Sequence, residues 1–367
     1  MGAQKALLQE EFPSLTFVEL PGYRIIYDKN RAFTIFRLLR SIPKILIRIK
    51  HEKAWLGHFA SREGLDLVIS DNRYGLAVPG VFCVFVTHQL LIKTPFGKWA
   101  DGMLQFLNYR MIRRFSRCWV PDNETAGLAG ALAHPRRMPG VTTRYIGWLS
   151  RFGGTAGDRR GAVEGGRGAA GGGQGDGYVV ALLSGPEPQR TLFEKELLRQ
   201  ASLSLGGPLV LVRGLPGGGG RPAGRPPIGL MPTELPPSGL LPAGLPTGVT
   251  CFDHLPAGEL ESLLRGARLV IARAGYSSIM DLCRLGKRAL LVPTPGQTEQ
   301  EYLGAYLAGK GWASCVDQRV FSLPAAFELA MADSAPVGGR PAEDRGVLAA
   351  EIRTILKLAQ SGSPALG

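Results

Sequence analysis

The chain has 367 residues, 45% of them apolar and 20% charged, enough for two domains with a sizeable core. Its net charge of +13 points to an anionic partner, either nucleic acid, acidic lipid or a phosphorylated substrate. The five cysteines, Cys83, Cys118, Cys251, Cys283 and Cys315, include no CxxC pair, and four sit in or beside apolar runs; this excludes a disulfide or zinc framework and suits a reducing compartment.

The opening MGAQKALLQEEF has no apolar signal core. The longest apolar run, Leu76 to Val86, is too short to span a bilayer. The expectation is a cytoplasmic protein, either soluble or peripheral on the inner face of the plasma membrane. Lys5 to Glu11 reads as the tail of a helix and Leu15 to Leu20 as a strand. No strand with a glycine-rich turn opens the chain, as a doubly wound domain would require.

Lys29 to Lys53 holds eight Lys or Arg against one acid, Glu52. Phe33, Phe36, Leu39, Ile42, Leu46 and Ile49 recur at helical steps, so the stretch is amphipathic, with Pro43 kinking it or starting a second helix. It suits an anionic membrane surface, or equally a core-packing helix with a solvated basic face.

Asp66 to Ser70 reads as a strand ending at Asp71-Asn72-Arg73, and Val81 to Val86 as a strand ending at Thr87-His88-Gln89. Asp71 and His88 are therefore candidates at strand ends, against the plainer reading of His88 as a loop histidine bonded to backbone. Trp99 to Arg117 reads as a helix and Cys118 to Val120 as a short strand. His134 falls in a loop, and Tyr145 to Trp148 reads as a strand.

Residues 153–177 hold 12 glycines in 25 positions and read as a flexible linker. Tyr178 to Leu183 opens the second domain, and the turn Ser184-Gly185 leads to a helix from about Thr191. Arg190 could add charge there. The turn is neither a GK[ST] phosphate loop nor GxGxxG. Leu209 to Val212 is a strand. Residues 214–247, with nine glycines and nine prolines, read as an expanded loop inside this domain. Val249 to Phe252 is a strand and Glu259 to Arg265 a helix.

The most informative stretch is Arg268 to Ala308. Leu269 to Ala272 is an apolar strand, Gly275 permits a tight turn, and Ser277 is the expected N-cap of a helix from about Ser278 to Leu285. Arg288 to Val292 is a second strand, and the turn GQTEQ opens a second helix from about Glu299, with Thr298 as cap. Both turns lie where open parallel sheets bind ligands, and helix starts suit a diphosphate. Asp281, one turn into the first helix, could accept bonds from ribose hydroxyls. The plainer alternative is that Ser277 and Thr298 are caps and Asp281 only complements a dipole.

ARAGYSSIMDL followed by LLVPTPGQTEQEY resembles the donor-binding core of GT-B glycosyltransferases, closest to the family-28 C-terminal domain. SDNRYGL, THQLLIKTP, CWVPD and RYIGWLSRF look like segments of bacterial relatives in the same group. The resemblance implies an α/β fold of GT-B type, with two Rossmann-like parallel-sheet domains facing a cleft. It implies domain limits of 1–150, 178–335 with the 214–247 insertion, and a C-terminal helix and tail at 336–367 that returns to the first domain. The first domain is expected to begin about one βα unit late, without the glycine-rich turn that often carries the family's base; His88, His134 and Asp71 are the substitutes. Asp281 takes the ribose acid's place, and Gln300 that of a donor-sugar glutamine. Glu301 stands where a second Gln is common. Asp253-His254-Leu255 resembles the loop whose backbone contacts the uracil. Ser184, Gly185, Arg190, Arg273, Gly275, Ser277 and Thr298 complete the expected donor site.

The implied activity is metal-independent, inverting transfer of a hexose or N-acetylhexosamine from a UDP-sugar such as UDP-N-acetylglucosamine. The acceptor would be lipid-linked or another glycan. No cofactor and no metal are expected, and the UDP-sugar is a co-substrate. Membrane contact would run through residues 29–53, and no nucleic-acid partner is expected. The alternatives are an inactive nucleotide-sugar-binding or membrane-associated protein and a UDP-sugar epimerase of the same fold.

Overall fold

The computed structural model describes residues 5, 8, 9, 11–20, 31–93, 97–125, 127–152, 177–201, 207–215, 246, 248–333, 335–337 and 346–360; the side chains of residues 31–42, 98 and 358–360 lie outside that description. The linker at 153–176 and nearly all of the 214–247 insertion fall outside it as well, as does part of the expected helix at 5–11.

In chain order the elements are α1 (Arg31–Glu63), β1 (Leu67–Asp71), β2 (Phe82–Val86), α2 (Lys98–Ile112), β3 (Arg117–Val120) and β4 (Thr143–Tyr145). Then come β5 (Val179–Leu182), α3 (Gln189–Gln200), β6 (Leu209–Val212), β7 (Val249–Phe252), α4 (Ala257–Gly266) and β8 (Leu269–Ala272). The chain continues with α5 (Tyr276–Leu285), β9 (Ala289–Leu291), α6 (Thr298–Gly309), β10 (Ser314–Cys315), α7 (Leu323–Asp333) and α8 (Val347–Gln360). Two compact units emerge: Glu19–Leu149 with Ala342–Gly367, and Met1–Val18 with Ser150–Pro341.

The first unit holds a parallel sheet in the order β1-β2-β3-β4. Its core joins Val84, Val86, Trp119 and Ile146 to Ile355 of α8. Leu348, Ile352 and Ile355 lie at helical steps, so α8 presents one apolar stripe to this sheet. Arg117 of β3 donates to Glu351 of α8 at 2.7 Å. The carboxyl-terminal helix therefore belongs to the first sheet's unit.

Three expectations change here. Residues 15–20 form no strand; Leu15 and Val18 are half exposed, and among the described residues no sheet edge takes them in. Helix α1 starts no second helix at Pro43, which lies inside it, and continues ten residues beyond Lys53. β4 ends at Tyr145, two residues before Gly147, whose φ of 75° leaves the extended region.

The second unit holds a six-stranded parallel sheet in the order β10-β9-β8-β5-β6-β7. Its central strands read VVAL, LVLV and LVIA, with almost every residue buried. Continuous apolar runs suit strands covered on both faces, because helices must then pack on each side. The chain steps outward from β5 to β7, returns to β8 on the other side of β5, and steps outward again to β10. That reversal opens a crevice between the carboxyl ends of β5 and β8, the place where such sheets take ligands.

Helix α6 approaches this crevice closely through Gly304. A Cβ there would lie 2.6 Å from Cys315 Sγ and 3.0 Å from Pro293 Cγ. Alanine favours a helix by about 1 kcal/mol over glycine, but overpacking costs about 1–3 kcal/mol, so the steric term wins. Gly304→Ala is expected to destabilise the protein by up to about 2 kcal/mol, read as a lower urea midpoint. A rise in the midpoint would show that α6 can back away from the sheet.

Candidate functional site

Three turns meet at the crevice of the second unit, because they follow the adjacent strands β5, β8 and β9. Ser184 and Gly185 follow β5, Arg273 to Gly275 follow β8, and Thr294 to Gln297 follow β9. Gly185 has a φ of 102°, a conformation that side-chain-bearing residues rarely adopt. The nearest heavy atom to a Cβ placed there is Thr294 Oγ1, at 3.8 Å, so the first and third turns face each other.

Helix α5 begins two residues earlier than its sequence suggests. Gly275 takes the N-cap position in extended conformation, with no side-chain cap. Ser277 is thus inside the first turn and exposed, not the cap. The first intrahelical bond is Ile279 N to Gly275 O at 3.0 Å. An uncapped helix start presents unpaired N–H groups and a partial positive charge.

Helix α6 also lacks a side-chain cap at its N-cap residue, Gln297, and Thr298 is its first helical residue rather than the cap. Here the helix's own side chains reach back. Gln300 accepts from Thr294 N at 2.9 Å, and Glu301 accepts from Gly296 N at 3.0 Å. The two residues expected at a donor sugar thus also shape the turn preceding them.

Asp281 lies one turn into α5 and is buried. It accepts from Ser150 Oγ at 2.7 Å and from Arg151 Nε at 3.1 Å. Burial pushes its carboxyl above the ordinary 3.8, against the lowering pull of Ser150 and Arg151. A carboxylate has about four acceptor sites; Ser150 Oγ, Arg151 Nε and the Arg151 backbone take three, which leaves room for a ribose hydroxyl.

The crevice's two buried arginines differ in kind. Arg190 donates to Glu187 at 2.7 Å and to Glu194 at 2.7 Å, so its charge is already met. Glu194 also accepts from Arg213 at 2.7 Å, and Arg213 donates to Asp253 at 2.7 Å. Arg190 is a member of this ion cluster, so its charge is engaged by Glu187 and Glu194. Arg273 is 1% exposed. Its guanidinium donates to Val292 O at 3.1 Å, Gln318 Oε1 at 2.7 Å and Gln189 O at 2.9 Å, and stacks on Phe193. Among the described residues no carboxylate pairs with it. Thr294, also 1% exposed, leaves its hydroxyl without a hydrogen bond. Nothing in its setting between Pro293 and Pro295 marked it as a site residue; its burial and orphaned hydroxyl do.

In the loop after β7, Leu255 is buried in the unit, while His254 is half buried. In the first unit, Asp71 is exposed at the carboxyl end of β1, and His88 is half buried just past the paired strand β2. His134 differs. Its Nε2 meets Asn123 O at 3.1 Å, its ring packs on Tyr145, and its Nδ1 is enclosed. It holds a loop in place through these contacts. Asp122, at the end of β3, is likewise structural, accepting from Leu128 N, Ala129 N and Trp148 Nε1.

Residues 255–334 match the glycosyltransferase family 28 C-terminal domain. The fold is similar to that of the glycotransferase of kitacinnamycin, with 14% identity, a TM-score of 0.53, and 93% of this chain and 82% of that one covered. Also similar are the calicheamicin glycosyltransferase CalG4, at 13% identity, TM-score 0.47 and coverages of 92% and 86%, and the spinosyn rhamnosyltransferase SpnG complexed with thymidine diphosphate, at 15%, 0.48, 92% and 82%. No curated protein sequence matches the chain.

Removing one partner from a buried ion cluster strands the others, at a cost of about 3–5 kcal/mol. Glu194 serves two arginines, so Glu194→Gln is expected to lower unfolding free energy by about 3 kcal/mol in urea titrations. A loss below about 0.5 kcal/mol would place this cluster with ordinary surface pairs.

Proposed function

We propose that this chain, which has the GT-B glycosyltransferase fold and carries a family-28 C-terminal domain, transfers a hexose or N-acetylhexosamine from a UDP-sugar to a lipid-linked or other glycan acceptor. The transfer is a metal-independent inverting displacement. The observation that carries this reading is the uncapped start of α5 at the strand reversal, with buried Asp281 one turn behind it. A diphosphate suits the positive end of a helix, and ribose hydroxyls suit the carboxylate.

In the reaction, the bond from the anomeric carbon to the diphosphate breaks while an acceptor hydroxyl attacks from the opposite face. Positive character builds on the sugar ring, and negative charge builds on the leaving diphosphate. Fixed N–H groups at α5 meet that charge without reorganising. Ser184 and the backbone at Gly185 line the same crevice. In this reading Gln300 and Glu301, on α6, meet the sugar hydroxyls. His88 and Asp71 are the candidates to take the acceptor's proton.

The lipid-linked acceptor draws support from the first unit. No helix among the described residues is long and apolar enough to cross a membrane. Helix α1 exposes Leu46 and Ile47 beside Lys44, Arg48 and Lys50, and α2 exposes Trp99, Met103 and Phe106 at helical steps ahead of Arg110. Apolar and aromatic residues beside cationic ones suit an anionic bilayer interface. Side chains of residues 31–42, which belong to the expected membrane patch, lie outside the described set.

Calorimetric titration with UDP and UDP-N-acetylglucosamine is the direct test, beside an Asp281→Asn variant. Because the folded carboxyl has a raised pKa, it adds stability below about pH 3.8 and loses that contribution as pH rises through its folded value. Ionised Asp281 is therefore a cost at pH 7, and Asp281→Asn is expected to melt no lower than the parent. Its UDP affinity is expected to fall by about tenfold or more, the worth of hydrogen bonds to a charged group. A folded parent protein that binds neither compound would sink the reading. Sedimentation with vesicles tests the acceptor side: binding to anionic vesicles, weakened by salt and absent with neutral ones, is expected. Equal recovery with both would remove the membrane from the proposal.

A further inference from the structure

Burying a guanidinium without an anion is costly, and proteins normally pair such a group. The crevice of the second unit holds one arginine treated in each way. Arg190 faces two carboxylates, whereas Arg273, the more deeply buried of the two, faces only carbonyls, a carboxamide oxygen and the Phe193 ring. Carbonyl dipoles soften the cost but leave the full positive charge in place. Burial lowers the Arg273 pKa only to about 10, so it is protonated at neutral pH.

The position of that charge is specific. Arg273 directly follows β8, the strand at the reversal, and its guanidinium lies against the carbonyls of Val292 and Pro293, immediately before Thr294. Thr294 carries the second unmet group, a buried hydroxyl that bonds to nothing among the described residues and faces Gly185. A buried charge without an anion follows β8, and a buried hydroxyl without a partner follows the neighbouring strand β9, so both lie beyond the strand ends that border one crevice. Each alone is an unfavourable feature. Together they describe a site that a phosphate would complete.

We infer that the missing partner of both groups is a phosphate of the donor's diphosphate: Thr294 Oγ donates to a phosphate oxygen, and Arg273, one layer behind, is a positioning residue that supplies charge without touching the ligand. The inference rests on the donor reading of this site and adds two residues with separate duties. Arg273 discriminates by charge and Thr294 by a single hydrogen bond, so the pair favours a diphosphate over the uncharged nucleoside.

The test compares UDP with uridine by calorimetry on the parent, Thr294→Val, Arg273→Met and Arg273→Lys. Thr294→Val keeps the shape and removes an unsatisfied buried hydroxyl, so its melting temperature is expected to hold or rise. Its affinity for UDP is expected to fall about tenfold with uridine unchanged. Arg273→Met is expected to cut the ratio of UDP to uridine affinity by about tenfold or more, and Arg273→Lys to restore most of it. A merely structural Arg273 would weaken both ligands alike, and that result would overturn the charge assignment. Unchanged UDP affinity in Thr294→Val would overturn the hydroxyl assignment, and it decides the matter even where Arg273→Met fails to fold. A parent protein that binds uridine and UDP equally overturns the inference while leaving a nucleoside site standing. A folded parent that binds neither removes the donor reading itself.

Discussion

The reversal of strand order between β5 and β8 is the constraint on which the second unit depends. A parallel sheet covered on both faces has no polar surface along its strands. Ser184, Arg273 and Thr294 are where they are because the chain has just left β5, β8 and β9, three neighbours in one sheet. Polar chemistry is thus confined to the edge at which the strands end. The same constraint makes burial severe there: Arg273 and Thr294 are each only 1% exposed, although both lie just beyond strand ends. Charge in such a place is either paired or held for something that arrives.

Most of the charge near that edge is paired. Arg190 and Arg213 share Glu194 and are flanked by Glu187 and Asp253, so two cations and three carboxylates form a closed cluster. That cluster ties the start of α3 to the ends of β6 and β7 and spends its charge on structure. The net charge of +13 therefore says little about this crevice. Its polarity comes from one buried arginine and the open start of one helix.

The strands were legible because burial on both faces demands unbroken apolar runs, and LVLV, LVIA and VVAL each fall within a residue or so of the observed limits. Helix starts were less legible. A serine after a glycine reads as a cap, yet the chain turns at Gly275 itself and places Ser277 inside the helix. Leu15 to Leu20 has a strand's composition but no partner strand, and pairing is a property of the whole fold. The pairing of Arg190 was within reach, since Glu187 and Glu194 stand three and four residues away. The lack of a partner for Arg273 was not, because an acid could have come from anywhere in the chain. Thr294 was hidden for the same reason: an orphaned hydroxyl is defined by every neighbour that fails to reach it.

The two helix starts at the crevice are built differently, and the difference gives the site a direction. At α6, Gln300 and Glu301 reach back to the N–H groups of Thr294 and Gly296, and the Glu301 carboxylate offsets the positive end of that helix. At α5, Gly275 offers no side-chain cap, and Asp281, one turn in, accepts from Ser150 and Arg151. An anion entering the crevice therefore meets a positive end without a side-chain cap from its N-cap residue at α5, and at α6 one whose preceding turn is bonded by its own side chains. In the proposed reading this orients the donor, with phosphates toward α5, Thr294 and the charge of Arg273, and the neutral sugar toward α6. The asymmetry follows from which side chains reach back to their own helix start, while Arg273, just before α5, donates to the carbonyls of Val292 and Pro293, just before α6.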